Sequence, residues 1–314
     1  MDSLKVALIK LALTVCSRLP LSWARAAGRG LSLLYWPLGG RSRVVTLRNI
    51  ELAYSELPLA ERKTLARRSI ASTAELISET GHVWLRPWSQ SRKYIVQVHG
   101  AEQITNALAA KRGVIVLAPH LGNWEVLGLH LGELGNTVSL YSPPALAGLG
   151  PLIETGRQRS GATLVPTDSR GLARLLRSVK QGGISGILPD QVPRDLASGQ
   201  NAPFMGISCF TPTLANNMIR RTGALAVFGF AQRIDDGFIV RYLPAEDAIY
   251  SDDDATSLAA LNRGVEACLG YCPEQYQWEY KRFKQRPAGA DDVYSDLKKH
   301  SRRRKSTRSE GKAE

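Results

Sequence analysis

The chain reads as a mixed α/β fold: a largely parallel sheet sandwiched by helices, preceded by N-terminal helices that associate with a membrane. Two observations predict this. From Val114 to Leu188, short apolar runs alternate with helix-length amphipathic segments, the pattern of parallel strands joined by covering helices. Residues 1–40 hold two apolar segments flanked by basic and aromatic side chains, and neither makes a clean span. With 44% apolar residues in 314, the chain can bury a large core. The expected organisation is membrane-associating helices over residues 1–40, an α/β domain over 41–290 and a basic, disordered tail over 291–314.

In the first segment, Leu4 to Val15 is apolar but carries Lys5 and Lys10. A spanning helix needs about 20 apolar residues, and a lysine at its centre costs about 2.5–3.5 kcal/mol. Ala24-Arg25-Ala26 has the small-x-small form of a signal-peptide cleavage site, but Lys10 breaks the apolar region and Arg18, Trp23 and Arg25 crowd the junction. A buried core helix is the plain alternative. An interfacial helix fits best: Ser3, Lys10, Thr14 and Ser17 share one stripe, and the rest of the wheel is apolar except Lys5. The second segment adds Trp23, Leu31, Leu33, Leu34, Tyr35 and Trp36 between Arg25, Arg29 and Arg41, a composition suited to the headgroup boundary.

Pro58 to Val83 has apolar residues at helical spacing (Leu65, Ile70, Ala74, Ile77), with Pro58 placed to start the helix and Pro87 to stop it. Tyr94–Val98 alternates as a strand, and Glu102–Ala110 is a short helix. Strands are expected at Val114–Ala118, Thr137–Tyr141, Thr163–Pro166 and Ile184–Leu188. The helices between them are Trp124–Leu134, Pro151–Ser160 and Arg170–Gln181. Gln191 to Phe210, rich in Pro, Gly, Ser and Asn, is expected to be a long loop. A helix (Thr213–Thr222), two strands (Ala224–Phe230, Phe238–Leu243) and a last helix (Thr256–Tyr271) complete the domain.

The formal net charge of +13 favours an anionic partner. Part of it resides in the Lys298–Lys312 tail, but the body is basic without it. No recognisable nucleic-acid module and no basic run interleaved with stacking aromatics is present, so nucleic acid is not the expected partner. Four cysteines make no disulfide framework in a chain this long. Cys268 and Cys272 lack a second pair of metal ligands, so buried thiols are expected and no metal. No GxGxxG, Walker A or GxSxG pattern occurs, and no cofactor is expected.

The chemistry concentrates at Ala118-Pro119-His120-Leu121-Gly122-Asn123-Trp124-Glu125. His120 follows an apolar strand, and Glu125 lies just inside the next helix. An imidazole titrates near pH 6.5, so it can take a proton from a hydroxyl at neutral pH. A carboxylate behind it would fix its tautomer and stabilise the imidazolium. His120 and Glu125 are therefore the candidate catalytic pair, compatible with hydrolysis or group transfer. His82, His99, His130 and His300 have no comparable partner.

His120-x-Gly122-Asn123-Trp124-Glu125 resembles the HX4(D/E) block of glycerolipid-type acyltransferases, in particular the bacterial lipid A late acyltransferases (lauroyl/myristoyl transferases). Further stretches agree in order: Tyr141-Ser-Pro with Glu154-Thr-Gly-Arg157; Leu188-Pro-Asp190-Gln191; Phe204-Met-Gly206 followed by Arg220-Arg-Thr-Gly-Ala224; and Pro273-Glu-Gln-Tyr-Gln-Trp278-Glu-Tyr-Lys-Arg282-Phe-Lys284. The similarity runs from about Val44 to Pro287. The chain departs from the family pattern at Val192-Pro193-Arg194 and at Tyr280-Lys281-Arg282.

The resemblance implies an α/β sandwich at the cytoplasmic face of the inner membrane. It also implies transfer of a fatty acyl chain from acyl carrier protein to a hydroxyl of a Kdo-bearing lipid A precursor. In that reaction His120 is the base. No Ser or Cys adjoins the dyad, so the acceptor hydroxyl attacks directly. Arg157 is expected to clamp a phosphate or the oxyanion, and Asp190 to hold Arg157 or an acceptor hydroxyl. Asn123 and Trp124 are expected in turn and packing roles, with the indole near an acyl channel. Arg174, with Arg170 and Arg177, could meet an acidic carrier, the alternative being a solvated helix face. Arg282 and Lys284 resemble a headgroup-binding edge. Competing functions are acylation of another glycolipid or an aminolipid, a thioesterase using the same His–Glu pair, and a non-enzymatic membrane-docking protein.

Overall fold

A computed structural model describes residues 2–193 and 195–297. Arg194 and the expected basic tail from Lys298 onward lie outside the described residues.

Five helices come first: α1 (Asp2–Arg18), α2 (Leu21–Leu38), α3 (Arg41–Ala53), α4 (Leu59–Leu85) and the short α5 (Trp88–Ser91). The alternating section follows: β1 (Ile95–His99), α6 (Ala101–Ala109), β2 (Val114–Leu117), α7 (Trp124–Leu134), β3 (Val138–Tyr141), α8 (Gly150–Gln158), β4 (Thr163–Pro166), α9 (Ser169–Lys180) and β5 (Ile184–Ile187). The chain then forms β6 (Gly199–Phe204), β7 (Ile207–Pro212), α10 (Leu214–Thr222), β8 (Leu225–Ile234), β9 (Gly237–Pro244) and α11 (Asp254–Leu269).

The main sheet has the order β1-β9-β8-β2-β5, parallel throughout except for the β8–β9 hairpin. The parallel pair β3–β4 lies beside β5, where the Ile184 N–H donates to the Asn136 carbonyl at 2.8 Å. Side-chain alternation sends the two faces of β2 into different cores. Ile115 and Leu117 pack with Leu175 and Val179 of α9, Ile219 of α10 and Val265 of α11. Val114 and Val116 pack with Ile104 of α6 and Val126, Leu129 and Leu131 of α7. Strands buried on both faces are the reason their sequences read as unbroken apolar runs.

The expected long loop is corrected. Gln191–Phe210 is not a continuous loop, because β6 and β7 form an antiparallel hairpin closed at Met205 and Gly206. Both turn residues have positive φ (50° and 73°), as a two-residue hairpin turn requires. The polar composition hid a period of two: Ala202 and Phe204 point inward while Asn201 and Pro203 point out.

The N-terminal helices pack on α4 through small residues. Added Cβ atoms would stand 2.7 Å from the Ala74 carbonyl oxygen at Gly28 and 2.3 Å from the Leu13 carbonyl oxygen at Gly81. The large apolar side chains face the other way: Leu4, Leu8, Leu11 and Val15 on α1, and Trp23, Leu31, Leu34 and Leu38 on α2, are all at least half exposed. No described helix is long and apolar enough to cross a membrane. Arg25, expected at a headgroup boundary, is instead buried against Glu79 at 2.6 Å, because α2 turns that face toward the sheet.

Two buried histidines set an acid limit on stability. His130 Nδ1 shares a 2.7 Å hydrogen bond with the Tyr242 hydroxyl, and neither ring nitrogen of His82 has a partner. Burial, helped by the Arg86 charge at His82 and the Arg92 charge at His130, pushes both down to about 4. The unfolded chain takes up these protons near pH 6.5 and the folded chain resists them. Their contribution is therefore complete above about pH 6.5 and is lost as the pH falls toward 4. Urea melts across that window should show falling stability, and His82→Phe with His130→Gln should flatten the slope. An unchanged slope in the double variant would remove these two groups as its cause.

Candidate active site

The site is assembled by strand register. β2 and β5 are parallel neighbours, with Leu117 opposite Ile187. His120 and Asp190 each stand three residues past that pair, so both emerge side by side at the carboxyl edge of the sheet. Asp190 Oδ1 lies 2.7 Å from His120 Nδ1, and Asp190 Oδ2 accepts the His120 backbone N–H at 2.9 Å. The imidazole is 15% exposed and the carboxylate 2%, so His120 alone presents an edge to the site. Burial would raise the Asp190 carboxyl, but the His120 charge and its two hydrogen bonds outweigh this and hold it below the usual carboxylate range.

The turn carrying His120 is pinned on both sides. Gly122 has φ 62°, and a Cβ there would stand 2.1 Å from the Ala231 carbonyl oxygen, so a side chain would push the turn off β8. The Asn123 N–H donates to that same carbonyl at 2.8 Å, and the Gln277 N–H donates to the His120 carbonyl at 3.0 Å. The closing segment around Trp278 thus serves as a brace. Asn123 is the N-cap of α7: its Oδ1 accepts the Val126 N–H at 3.1 Å while its Nδ2 donates to Glu79 Oε2 at 2.9 Å.

The carboxylate on the His120 ring is therefore Asp190, and the expected assignment to Glu125 is corrected. Residues 120–123 are non-helical, so the five-residue spacing is not a contact across one helical turn. Glu125, in the first turn of α7, points instead toward α8. It accepts Arg157 Nε at 2.9 Å and Nη2 at 2.5 Å, and Trp84 Nε1 at 3.1 Å. Burial would lower the Arg157 guanidinium, but Glu125 outweighs it and raises it further. Asp190 accordingly does not hold Arg157. The Arg157 fork engages Glu125 through Nε and Nη2, which leaves Nη1 outside the pair.

Trp124 lies edge-on to His120, with ring centroids 5.0 Å apart. A cavity of about 270 Å³ runs from His120, Trp124, Glu125 and Arg157 inward between α7 and the sheet, past Leu127, Leu131, Leu140 and Leu164. Ser139 adds a further polar group to the lining, and the cavity walls are otherwise mainly aliphatic.

The remaining expected residues do not join this group. Arg282 is fully buried and donates to the Phe210 carbonyl at 2.6 Å and to Thr211 Oγ1 at 3.0 Å, so it ties the β6–β7 hairpin to the core and is no headgroup contact. Lys284 is exposed, with its ammonium 5.1 Å from the Tyr280 ring centroid. Arg174 is exposed on α9 with Arg170 and Arg177, away from the cavity lining. Cys268 and Cys272 are buried free thiols. Sequence reasoning missed Glu79, Trp84 and Gln277. Only the matched offsets of His120 and Asp190 beyond their strands offered a readable signal for the pairing actually formed.

Comparison with known proteins agrees with this architecture. Residues 3–285 match the family described as bacterial lipid A biosynthesis acyltransferase. The lipid A biosynthesis lauroyltransferase of Escherichia coli (strain K12) is 29% identical over 272 residues, covering 85% of this chain and 87% of that protein. The palmitoleoyltransferase of the same organism is 24% identical over 269 residues, with coverage of 85% and 87%. Its myristoyltransferase is 24% identical over 259 residues, covering 82% and 80%. The match spans the apolar N-terminal helices, the His120 turn, the Asp190 edge and the brace around Trp278, and the chain belongs to the bacterial lipid A biosynthesis acyltransferase family.

Proposed function

We propose that this enzyme moves a fatty acyl chain from an acyl carrier protein thioester to a hydroxyl of a Kdo-bearing lipid A precursor. The His120–Asp190 pair, with His120 lining a mainly aliphatic cavity, carries the reading. Asp190 keeps the Nδ1 proton, so Nε2 is free to take the proton of the acceptor hydroxyl as its oxygen attacks the thioester carbonyl. The C–O bond forms, the tetrahedral oxyanion collapses, and the thiol leaves with the proton that His120 returns. Glu125 acts through Arg157, holding the guanidinium at the rim with Nη1 available to the oxyanion. The acyl chain occupies the cavity.

The exposed apolar faces of α1 and α2 suit a membrane interface, and on this reading the enzyme works at the cytoplasmic face of the inner membrane. Arg170, Arg174 and Arg177, none in an ion pair among the described residues, suit an acidic carrier.

The test incubates purified protein with several acyl carrier protein thioesters and a tetra-acylated, Kdo-bearing lipid A precursor, read by mass spectrometry. One acyl addition is expected, lowered roughly 10²–10⁴-fold by His120→Ala. Free fatty acid without acylated lipid would indicate a thioesterase. Acylation only of another glycolipid or of an aminolipid would move the acceptor.

The cavity also yields a chain-length expectation. Gly128 lines it, and a Cβ there would meet nothing within 4 Å, so a larger side chain enters the cavity without moving backbone. Gly128→Leu should reduce turnover of the longest acyl donors first, by about 0.8 kcal/mol for each methylene displaced. An equal loss across all chain lengths would show that the acyl chain lies elsewhere.

A further inference from the structure

The hydrogen bonds between β2 and β5 stop before they reach the catalytic pair. The last of them runs from the Ala118 N–H to the Ile187 carbonyl at 2.8 Å. The next donor in the parallel pattern falls at position 189, and Pro189 has no N–H to give. On the β2 side the chain likewise leaves through a proline, Pro119. Past that point no backbone–backbone hydrogen bond joins the two exits among the described residues. His120 and Asp190 therefore stand beyond the sheet, and a pair held at 2.7 Å needs another tether.

The closing segment supplies one. Its backbone takes the His120 exit: the Gly122 N–H donates to the Gln275 carbonyl at 3.1 Å, and the Gln277 N–H donates to the His120 carbonyl at 3.0 Å. Its side chains take the Asp190 exit: Gln191 Nε2 donates to Gln277 Oε1 at 2.9 Å, and the Val192 N–H donates to the Tyr280 hydroxyl at 2.9 Å. Gln277 thus touches both exits, one through its main chain and the other through its amide. The segment is itself fixed from elsewhere. Trp278 is fully buried, and Asn49 Nδ2 of α3 donates to the carbonyls of Trp278 and Tyr280 at 2.6 and 2.7 Å. Ser69 Oγ of α4 donates to the Tyr276 carbonyl at 3.3 Å. A segment anchored on α3 and α4 can gauge the spacing of the two exits, where a contact between the exits alone would let both drift together. Val192 and Tyr280, two of the places where the chain departs from the family pattern, meet in this contact.

We propose that Gln277 and Tyr280 are positioning residues for acyl transfer: through Gln191 and Val192 they set the separation of Asp190 from His120. Neither side chain lines the cavity beside His120, so they act on the base through its carboxylate and not on the acyl chain. Proton transfer tolerates little error in placement, and a shift of about 1 Å can cost about 10²-fold in rate. The proposal rests on His120 acting as the base with Asp190 behind it, but its first readout does not need turnover.

The experiment uses the full chain carrying Gln277→Leu, Gln191→Leu and Tyr280→Phe, singly and combined. In the wild type, the His120 Nδ1 proton shared with Asp190 should give a resolved low-field NMR signal, assigned by nitrogen labelling. That signal should move upfield and exchange faster with water in each variant, most of all in Gln277→Leu with Tyr280→Phe. In turnover, kcat should fall roughly tenfold when either link is cut and roughly 10²-fold when both are, with the KM for the acyl thioester unchanged. Gln191→Leu should match Gln277→Leu, and joining these two should cost no more than either alone, because they share one bond. Thermal melts run alongside. Variants with a lowered Tm but a wild-type Nδ1 signal and kcat overturn the proposal, by making the segment a structural brace only. A raised KM at unchanged kcat overturns it too, since the side chains would then touch substrate. If the Nδ1 signal shifts as expected but the wild type acylates no acceptor, the acyl-transfer reading fails and the spacing role stands.

Discussion

Asp190→Asn is expected to lower kcat by roughly 10²–10⁴-fold with the fold intact. The side chain accepts two hydrogen bonds, Oδ1 from the ring Nδ1 and Oδ2 from the His120 backbone N–H, and an amide has only one oxygen to meet both. If the amide keeps its oxygen on the backbone N–H, its NH2 meets Nδ1 and forces that nitrogen to accept. The ring proton then moves to Nε2, the atom that must be bare to act as base. If the amide turns the other way, its NH2 faces the backbone N–H and the turn is pushed off β5. Either orientation disables His120 without changing side-chain volume. Glu125→Gln is the matched control, because Glu125 holds Arg157 and Trp84 and not the imidazole. It should leave the His120 tautomer unchanged, as read by nitrogen NMR of the ring, while Asp190→Asn shifts it. A dominant role for Glu125 at the ring would give the opposite pattern: a tautomer shift in Glu125→Gln and near-normal kcat in Asp190→Asn.

His120 was legible because local signals converged there: an apolar run ending in a turn, then a helix start at Asn123. Its true partner was not, because the contact spans seventy positions and depends on which strands are neighbours. The HX4E spacing suggested a local pair. A non-helical turn with Gly122 at positive φ defeats that reading, since spacing fixes direction only inside a regular element. The alternation of strands and helices from β2 to β5 was readable for the same reason, as each helix is marked by its period and each strand by a short apolar run. The β6–β7 hairpin was hidden because Pro, Gly and Asn residues outweighed its short alternation. Arg282 misled in another way. An arginine beside aromatics reads as a surface contact, yet its buried Nη1 and Nη2 donate to the Phe210 carbonyl and Thr211, partners no local pattern announces. Charged residues buried in tertiary networks are the class least visible in sequence, since their partners come from distant segments.

The largest effect on stability is expected at the most complete of those networks. Glu79 of α4 has no exposed side-chain surface and accepts Arg25 Nε at 2.6 Å, Arg233 Nε and Nη2 at 2.6 and 2.9 Å, and Asn123 Nδ2 at 2.9 Å. Burial would raise its carboxyl, but Arg233 and Arg25 outweigh burial and lower it. Arg25 also donates to the carbonyls of Ile234 and Gly237, at 2.5 and 2.9 Å. One carboxylate therefore joins the N-terminal helix α2, the β8–β9 hairpin and the N-cap of the helix that follows His120. Glu79→Ala leaves two buried guanidinium groups short of counter-charge, which should cost about 3–5 kcal/mol and lower Tm by roughly 10 °C. The damage should begin at α2, because Arg25 loses its only carboxylate partner among the described residues, whereas Arg233 keeps Glu75 at 3.6 Å and the Ser72 hydroxyl at 2.7 Å. Limited proteolysis should then cut near Arg18 before the sheet unfolds, while the wild type resists. A Glu79→Ala variant that melts like the wild type, with its N-terminal helices still protected, would show that water or neighbouring acids neutralise the arginines and that the network does not hold α2 to the catalytic turn.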